Sequence, residues 1–349
     1  MTSTLSAGKY RALRRLADAQ GRFKMVAADQ RPPIIKALKE KLGTAPSAAQ
    51  VGAVKRALVQ SLAAQGSALL IDPDYGYGAA FDAIPSAPGL LLTLEDFNFE
   101  ESTGGRKARE MAGWSVDKIK RAGADGVKLL LWYRPDAAPE VLAHQRALVR
   151  RVGDACKRCD IAFLLELLVF PFAGAADHTT DYIEHKDKRP ELVLQSVRDF
   201  ADPAYGVDIY KLESPLAARD LPAPEGDAAA VAAAQRWFDD MGKLIDKPWV
   251  MLSAGAGMEE FRRVLHYAYR AGANGFLAGR AIWWQAFSQC YPDIGAMQRR
   301  LADEGLGYMA QINQMTDTMA QPWFEAARFG GLPALADAGT GFPAAYPAY

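Results

Sequence analysis

Gly126-Val-Lys-Leu-Leu-Leu-Trp132 and Ile161-Ala-Phe-Leu-Leu-Glu-Leu-Leu168 stand either side of a helix-patterned stretch, residues 138–158. Two apolar runs of strand length joined by a helix make a β-α-β unit, whose strands lie parallel. The same alternation extends in both directions. Upstream lie Phe23–Asp29, Ala68–Asp72 and Leu90–Thr93; downstream lie Asp208–Glu213, Trp249–Ser253 and Gly275–Gly279. Eight such runs predict a closed (β/α)8 barrel, in which chemistry sits at the C-terminal ends of the strands. Asp29, Lys128, Glu166 and Lys211 fall there, as do Ser253-Ala254-Gly255 and Gly279-Arg280.

The chain of 349 residues is half hydrophobic. A barrel of this kind runs to roughly 250 residues and often carries insertions, so one large domain fits better than two. The expected division is a single barrel domain over 1–330 and an irregular Ala/Gly/Pro-rich tail over 331–349. Lys plus Arg and Asp plus Glu balance at 41 each with no long basic block, which argues against a nucleic-acid partner. The N-terminus lacks the apolar core of a signal peptide, and the longest apolar stretch, Ile161–Ala176, is interrupted by Glu166 and Pro171. It falls short of the about 20 residues a bilayer requires, so no membrane partner is expected and the predicted location is cytoplasmic. Three cysteines give no disulfide framework. A homo-oligomer is compatible with all of this.

A short basic helix is predicted over 5–20. Ser47-Ala-Ala-Gln50 has capping-box spacing and opens a helix to about Gln65. Further helices are expected at 115–122, 190–202, 227–243 and 258–271. In the last, Phe261, Val264, Leu265 and Ala268 fall at i, i+3, i+4 and i+7, one apolar stripe against the sheet. Tyr75–Pro88 and Glu95–Arg106 read as loops, the second on the active face. Residues 282–330 read as helical and packed over the barrel's end.

Lys211 lies in Val207-Asp-Ile-Tyr-Lys-Leu-Glu213, where Lys211 and Glu213 share one strand face. A lysine within a strand is rarely buried unless paired or functional. Burial or neighbouring cations disfavour the ammonium and leave an amine able to condense with a carbonyl. The plainer alternative is a lysine paired with Glu213. Lys128 poses the same question, since two lysines inside two apolar strands each carry a desolvation cost. If they converge, each lowers the pKa of the other, with one serving as nucleophile while the other stays protonated. Glu166, in the most apolar run, either pairs with a lysine or acts as a general acid/base with a raised pKa.

The last two β/α units are where barrels often hold phosphate, on backbone N–H groups at a helix N-terminus. Here they read Leu252-Ser-Ala-Gly-Ala-Gly257 and Leu277-Ala-Gly-Arg280. Small residues let backbone donors approach an anion, and Arg280 adds a bidentate grip. Cys156-Lys-Arg-Cys159 closes a helix with no second pair to complete a zinc site. His178 and His185 flank a polar loop, solvated or facing substrate, and Trp132-Tyr-Arg134 ends the fourth run in position to contact substrate, with a surface place the equal alternative for Arg134.

Taken together, several segments resemble the class I tagatose-1,6-bisphosphate aldolases, Schiff-base enzymes on the (β/α)8 barrel. They are Ala28-Asp-Gln-Arg31, Leu70-Ile-Asp-Pro-Asp-Tyr-Gly76, Gly89-Leu-Leu-Leu92, Val127-Lys-Leu-Leu-Leu-Trp-Tyr133, Phe163-Leu-Leu-Glu166, Tyr205-Gly-Val-Asp-Ile-Tyr-Lys-Leu-Glu213, Leu252-Ser-Ala-Gly255 and Gly279-Arg-Ala281. Their order and spacing hold over about residues 5–328. The resemblance implies Lys211 as the Schiff-base lysine and Glu166 as the main proton-transfer residue. It implies Lys128 and Asp29 as groups that orient hydroxyls and polarise the carbonyl, and Ser253, Gly255, Gly279 and Arg280 as the cradle for a C1 phosphate. The implied partner is a small-molecule sugar phosphate, with no metal and no cofactor, because an iminium does the work of a Lewis acid. Scarce histidines also disfavour a zinc-dependent aldolase. Departures fall in the tail and in the loop Phe172–Lys188, which leaves the group recognised at C6 open. A 6-deoxy-6-sulfofructose 1-phosphate aldolase and a non-catalytic sugar-phosphate-binding barrel are the alternatives.

Overall fold

The computed structural model describes residues 3–185, 189–336 and 338–346. Eight parallel strands close a barrel: β1 (Phe23–Ala27), β2 (Ala68–Ile71), β3 (Gly89–Thr93), β4 (Gly126–Trp132), β5 (Ala162–Leu168), β6 (Ile209–Leu212), β7 (Trp249–Met251) and β8 (Gly275–Ala278). Each pairs with its sequence neighbour, and β8 returns to β1 through Phe276↔Lys24 and Leu277↔Met25. The predicted (β/α)8 class is therefore the observed one. Asp29, Ser253 and Gly279 lie just beyond their strands rather than inside them.

The outer layer contains α1 (Ala7–Leu16), α2 (Pro32–Leu42), α3 (Ala48–Leu62), α4 (Val116–Arg121), α5 (Pro139–Arg158), α6 (Pro190–Phe200), α7 (Ala228–Lys243), α8 (Met258–Arg270), α9 (Arg280–Cys290), α10 (Ile294–Arg300) and α11 (Leu306–Met319). The Ser47/Gln50 capping box is present, with Ser47 N–H donating to Gln50 Oε1 at 2.8 Å and Gln50 N–H to Ser47 Oγ at 3.2 Å. Phe261, Val264, Leu265 and Ala268 are all buried on α8. Among the described residues no helix is long and apolar enough to cross a membrane.

Several expectations need correction. The block read as helical over 282–330 breaks into segments and leaves helix after Met319, with only a 3-10 turn at Trp323–Glu325. Residues 73–83 coil into short helical turns, because Pro73 starts a turn capped by Asp72, which accepts from Tyr75 N–H at 2.8 Å. The loop over 95–106 contains a small hairpin, Glu100–Ser102 against Gly105–Lys107. In the tail, Ala334–Leu335 pairs in parallel with Thr4–Leu5, and Phe342–Ala345 forms a helical turn. Lys188 and Tyr349, which close the loop and tail segments singled out above, lie outside the described residues.

Strand alternation sorts the barrel's contents by height. Inward positions near the strand starts are apolar: Phe23, Met25, Leu70, Leu91, Ala162, Leu164, Ile209 and Leu277. Ala12, Leu13 and Leu16 of α1 join them from below, as does Trp323. Higher along the same inward faces of β4, β5 and β6 come Lys128, Glu166 and Lys211. The barrel is thus greasy at its floor and charged toward its mouth.

Candidate active site

Parallel register sets these three side chains against one another. Glu166 pairs in register with Leu130 on β4 and with Lys211 on β6. Lys128, Glu166 and Lys211 are all at most 2% exposed. Lys211 Nζ donates to Glu166 Oε2 at 3.0 Å, and Lys128 Nζ stands 2.9 Å from the same oxygen. Of the two readings for Glu166, pairing with a lysine or acid/base work with a raised pKa, the first is observed, and with both lysines at once. Glu213, weighed as the partner of Lys211, accepts from Val169 N–H at 2.6 Å.

Lys128 also meets Asp29 Oδ2 at 3.0 Å and Glu95 Oε1 at 2.8 Å. Burial works against its ammonium, but Asp29, Glu166 and Glu95 outweigh that cost and raise its pKa. This corrects the expectation that the two lysines depress one another: for Lys128, attraction to three carboxylates exceeds repulsion. Glu166 is corrected in the opposite direction. Burial pushes its pKa up, yet Lys128 and Lys211 pull it below the ordinary carboxylate value. Asp29 follows the same balance, with burial opposed by Lys128 and Lys211 and a lowered result. The site thus carries a proton held firmly on Lys128 beside two ionised carboxylates.

Glu95 was not singled out by sequence reasoning. It follows β3 and accepts from Leu130 N–H at 3.1 Å and from Arg31 Nη2 at 3.2 Å. Arg31 reaches on to Asp74 at 3.0 Å. The usable signal was an acidic residue two positions past a strand end on the predicted active face. Tyr182 was missed as well. Its hydroxyl donates to Glu166 Oε1, and its ring lies 5.8 Å from that of Trp132. Asp29, Gln30, Arg31, Glu95, Lys128, Trp132 and Tyr182 line one cavity at the barrel mouth. Among the described residues, Asp29 Oδ1, Gln30 Oε1 and Arg31 Nε are buried without hydrogen-bond partners.

The proposed anion cradle gathers beside this cavity. Ala254 and Gly255 turn the chain after β7 with φ of +45° and +86°, a left-handed pair that glycine tolerates best. A Cβ on Gly255 would stand 3.3 Å from the Arg280 guanidinium, so absence of a side chain lets the turn and the cation meet. Gly279 has its own reason: a Cβ there would fall 2.5 Å from the Ala27 carbonyl oxygen. It caps α9, whose first backbone N–H groups lack intrahelical partners. Arg280 is buried, donates to the Tyr182 carbonyl and stacks 5.0 Å above the Tyr182 ring. Ser253 is buried at the end of β7. All four cradle residues thus come from the β7 and β8 ends named from sequence.

The remaining candidates separate from this centre. Cys156 and Cys159 are buried, and burial drives the Cys156 thiol upward, away from thiolate reactivity. His178 meets Glu101 at 3.1 Å, and His185 meets Asp177 at 2.5 Å. Of Trp132-Tyr133-Arg134, Trp132 lines the cavity. Tyr133 donates to Asp199 at 2.6 Å, and Arg134 pairs with Asp136 at 2.8 Å.

Comparison with known proteins agrees with this geometry. The family model described as DeoC/LacD family aldolase matches residues 26–285. The tagatose 1,6-diphosphate aldolase 2 of Enterococcus faecalis is 34% identical over 331 residues, covering 92% of this chain and 97% of that protein. Its namesake from Streptococcus mutans is 31% identical, covering 93% and 99%. Among solved structures, a Schiff-base-forming fructose-1,6-bisphosphate aldolase superposes with a TM-score of 0.54 at 16% identity, covering 88% of this chain and 99% of that one. The fructose-bisphosphate aldolase of Plasmodium falciparum gives 0.62 at 11%, covering 92% and 99%. The last two likenesses establish the barrel fold. The two relatives, with the family match running from within β1 into α9, establish that this chain belongs to the DeoC/LacD family of aldolases.

Proposed function

We propose that this protein cleaves D-tagatose 1,6-bisphosphate to dihydroxyacetone phosphate and glyceraldehyde 3-phosphate through a Schiff base on Lys211. The observation that carries the reading is a buried lysine 3.0 Å from a carboxylate oxygen that a second, firmly protonated lysine also holds. The names of the 34% and 31% identical relatives support the substrate class.

In this reading the neutral Lys211 amine attacks the C2 ketone and forms a carbinolamine. Glu166 carries the proton that lets water depart, leaving an iminium. Glu166, a carboxylate again once water has left, then takes the C4 hydroxyl proton as the C3–C4 bond breaks: the C4 fragment leaves as an aldehyde, and the bonding pair moves toward the iminium nitrogen as an enamine. Protonation at C3 and attack of water on the regenerated iminium free dihydroxyacetone phosphate and Lys211. Lys128, kept cationic by Asp29, Glu166 and Glu95, polarises the carbonyl, and Asp29 orients the hydroxyls. Ser253, Gly255, Gly279 and Arg280 take the C1 phosphate through backbone donors and the guanidinium.

Incubation with dihydroxyacetone phosphate and borohydride is expected to add covalent mass on Lys211, and Lys211→Met is expected to abolish both trapping and cleavage. Cleavage surviving in Lys211→Met overturns the assignment. A coupled assay comparing tagatose and fructose bisphosphates with 6-deoxy-6-sulfofructose 1-phosphate tests the substrate, with preference for tagatose expected.

A further inference from the structure

Glu166 has two oxygens, and they are held differently. Oε2 faces both lysine Nζ atoms, Lys211 at 3.0 Å and Lys128 at 2.9 Å. Oε1 accepts from the Tyr182 hydroxyl. The charged groups around this carboxylate are Lys128 from β4, Lys211 from β6, Asp29 beyond β1 and Arg280 at the start of α9, and Tyr182 reaches it from the segment after β5. The oxygen turned away from the cations is thus under the control of one phenol.

The same residue touches the phosphate cradle. Its carbonyl accepts from Arg280, and its ring lies 5.0 Å beneath that guanidinium. The flanking residues are tied to the site's rim. Glu184 N–H donates to the Ala254 carbonyl at 3.0 Å, and Asp181 pairs with Lys36 at 2.8 Å. The Glu184 carboxylate accepts from Ala218 N–H at 3.0 Å. Burial and the adjacent Glu166 also push the Tyr182 phenol well above its ordinary value, so its hydroxyl stays a donor.

We propose that Tyr182 is a positioning residue joining phosphate recognition to proton transfer: its hydroxyl aims Glu166, while its ring and carbonyl set Arg280 in the cradle. This rests on the aldolase reading above and extends it to a residue outside the barrel strands. A proton arriving on Oε1 requires the phenol to turn from donor to acceptor, so the hydroxyl governs how readily Glu166 takes a proton.

Tyr182→Phe keeps the ring and the carbonyl but removes the hydroxyl. Its kcat is expected to fall about tenfold or more, with KM for the bisphosphate within about twofold of the parent. Loss of a donor to the carboxylate raises the Glu166 pKa, so the acid limb of the pH profile is expected to move to higher pH. Tyr182→Ala, which also removes the ring from Arg280, is expected to raise KM several-fold as well. Should Tyr182→Phe fail to fold, 2,3-difluorotyrosine at position 182 keeps the shape and donates more strongly, and the limb is then expected to move to lower pH. A folded Tyr182→Phe with parental kcat and pH profile overturns the proposal, as does an unmoved limb with the fluorinated residue. Borohydride trapping on Lys211 of the parent separates the two claims. Trapping alongside an unaffected Tyr182→Phe removes only the role of Tyr182, whereas no trapping in the parent removes the aldolase reading itself.

Discussion

Lys128 is surrounded by more negative charge than it can neutralise alone. Three carboxylate groups lie within 3.0 Å of its Nζ, and all of them are buried. Removing one partner of a buried charge cluster costs more than the cluster contributes, because the survivors remain without water or counter-ion. Lys128→Met is therefore expected to lower stability by about 3–5 kcal/mol, read as a lower urea midpoint. An unchanged midpoint counts against the cluster. Lys55 offers a second buried cation, outside the Lys128 cluster. It is fully buried on α3, pairs with Asp72 and donates to the Ala28 carbonyl at 2.7 Å. Lys55→Met is expected to show a similar loss of stability. The charged strand residues Lys128, Glu166 and Lys211 were legible because a charge at an inward position of an apolar strand has few explanations. Glu95 and Tyr182 were not, since both arrive from loops whose course depends on the closed barrel.

Elements were legible where one physical signal dominated. Short apolar runs separated by helix-patterned stretches located all eight strands, and the capping spacing at Ser47 located the start of α3. Helix α2 went unremarked although Pro32 and Pro33 open it, a position where proline is favoured. The single helical block over 282–330 failed because hydrophobic content alone does not mark breaks such as the one at Tyr291-Pro292-Asp293 before α10. At the junction of β8 and α9, Gly279→Ala is expected to be severe. Its Cβ would meet the Ala27 carbonyl oxygen at 2.5 Å, and backbone cannot yield as a flexible side chain can. A cost of about 1–3 kcal/mol follows from such overpacking. The displaced N-terminus of α9 carries Arg280, so KM for the bisphosphate is expected to rise; a parental KM refutes the cradle assignment.

At the scale of the whole molecule, the charged layer links folding to pH. Asp29 and Glu166 are both more acidic in the folded chain than in the unfolded one. Their contribution is complete above the ordinary carboxylate range and disappears as pH falls through the folded values. Lys128 is shifted upward, so its contribution is complete below the ordinary lysine value and is lost only as pH climbs through the raised one. Urea midpoints are thus expected to hold steady near neutrality and drop below about pH 4. Lys128→Met is expected to flatten that drop, and an equally steep fall in the variant contradicts this account.

Among the described residues, the helix and the tryptophan beneath the strands cover the lower opening, so the barrel is a blind well that opens at its charged end. Traffic through it is therefore forced into sequence. In the chemistry proposed above, the ketone-derived half stays bonded to Lys211 deep in the shaft while the aldehyde half is free to depart, and that half has to leave by the way the sugar came in. In the synthetic direction the queue reverses: the three-carbon ketone loads first, and the aldehyde seats on top of it.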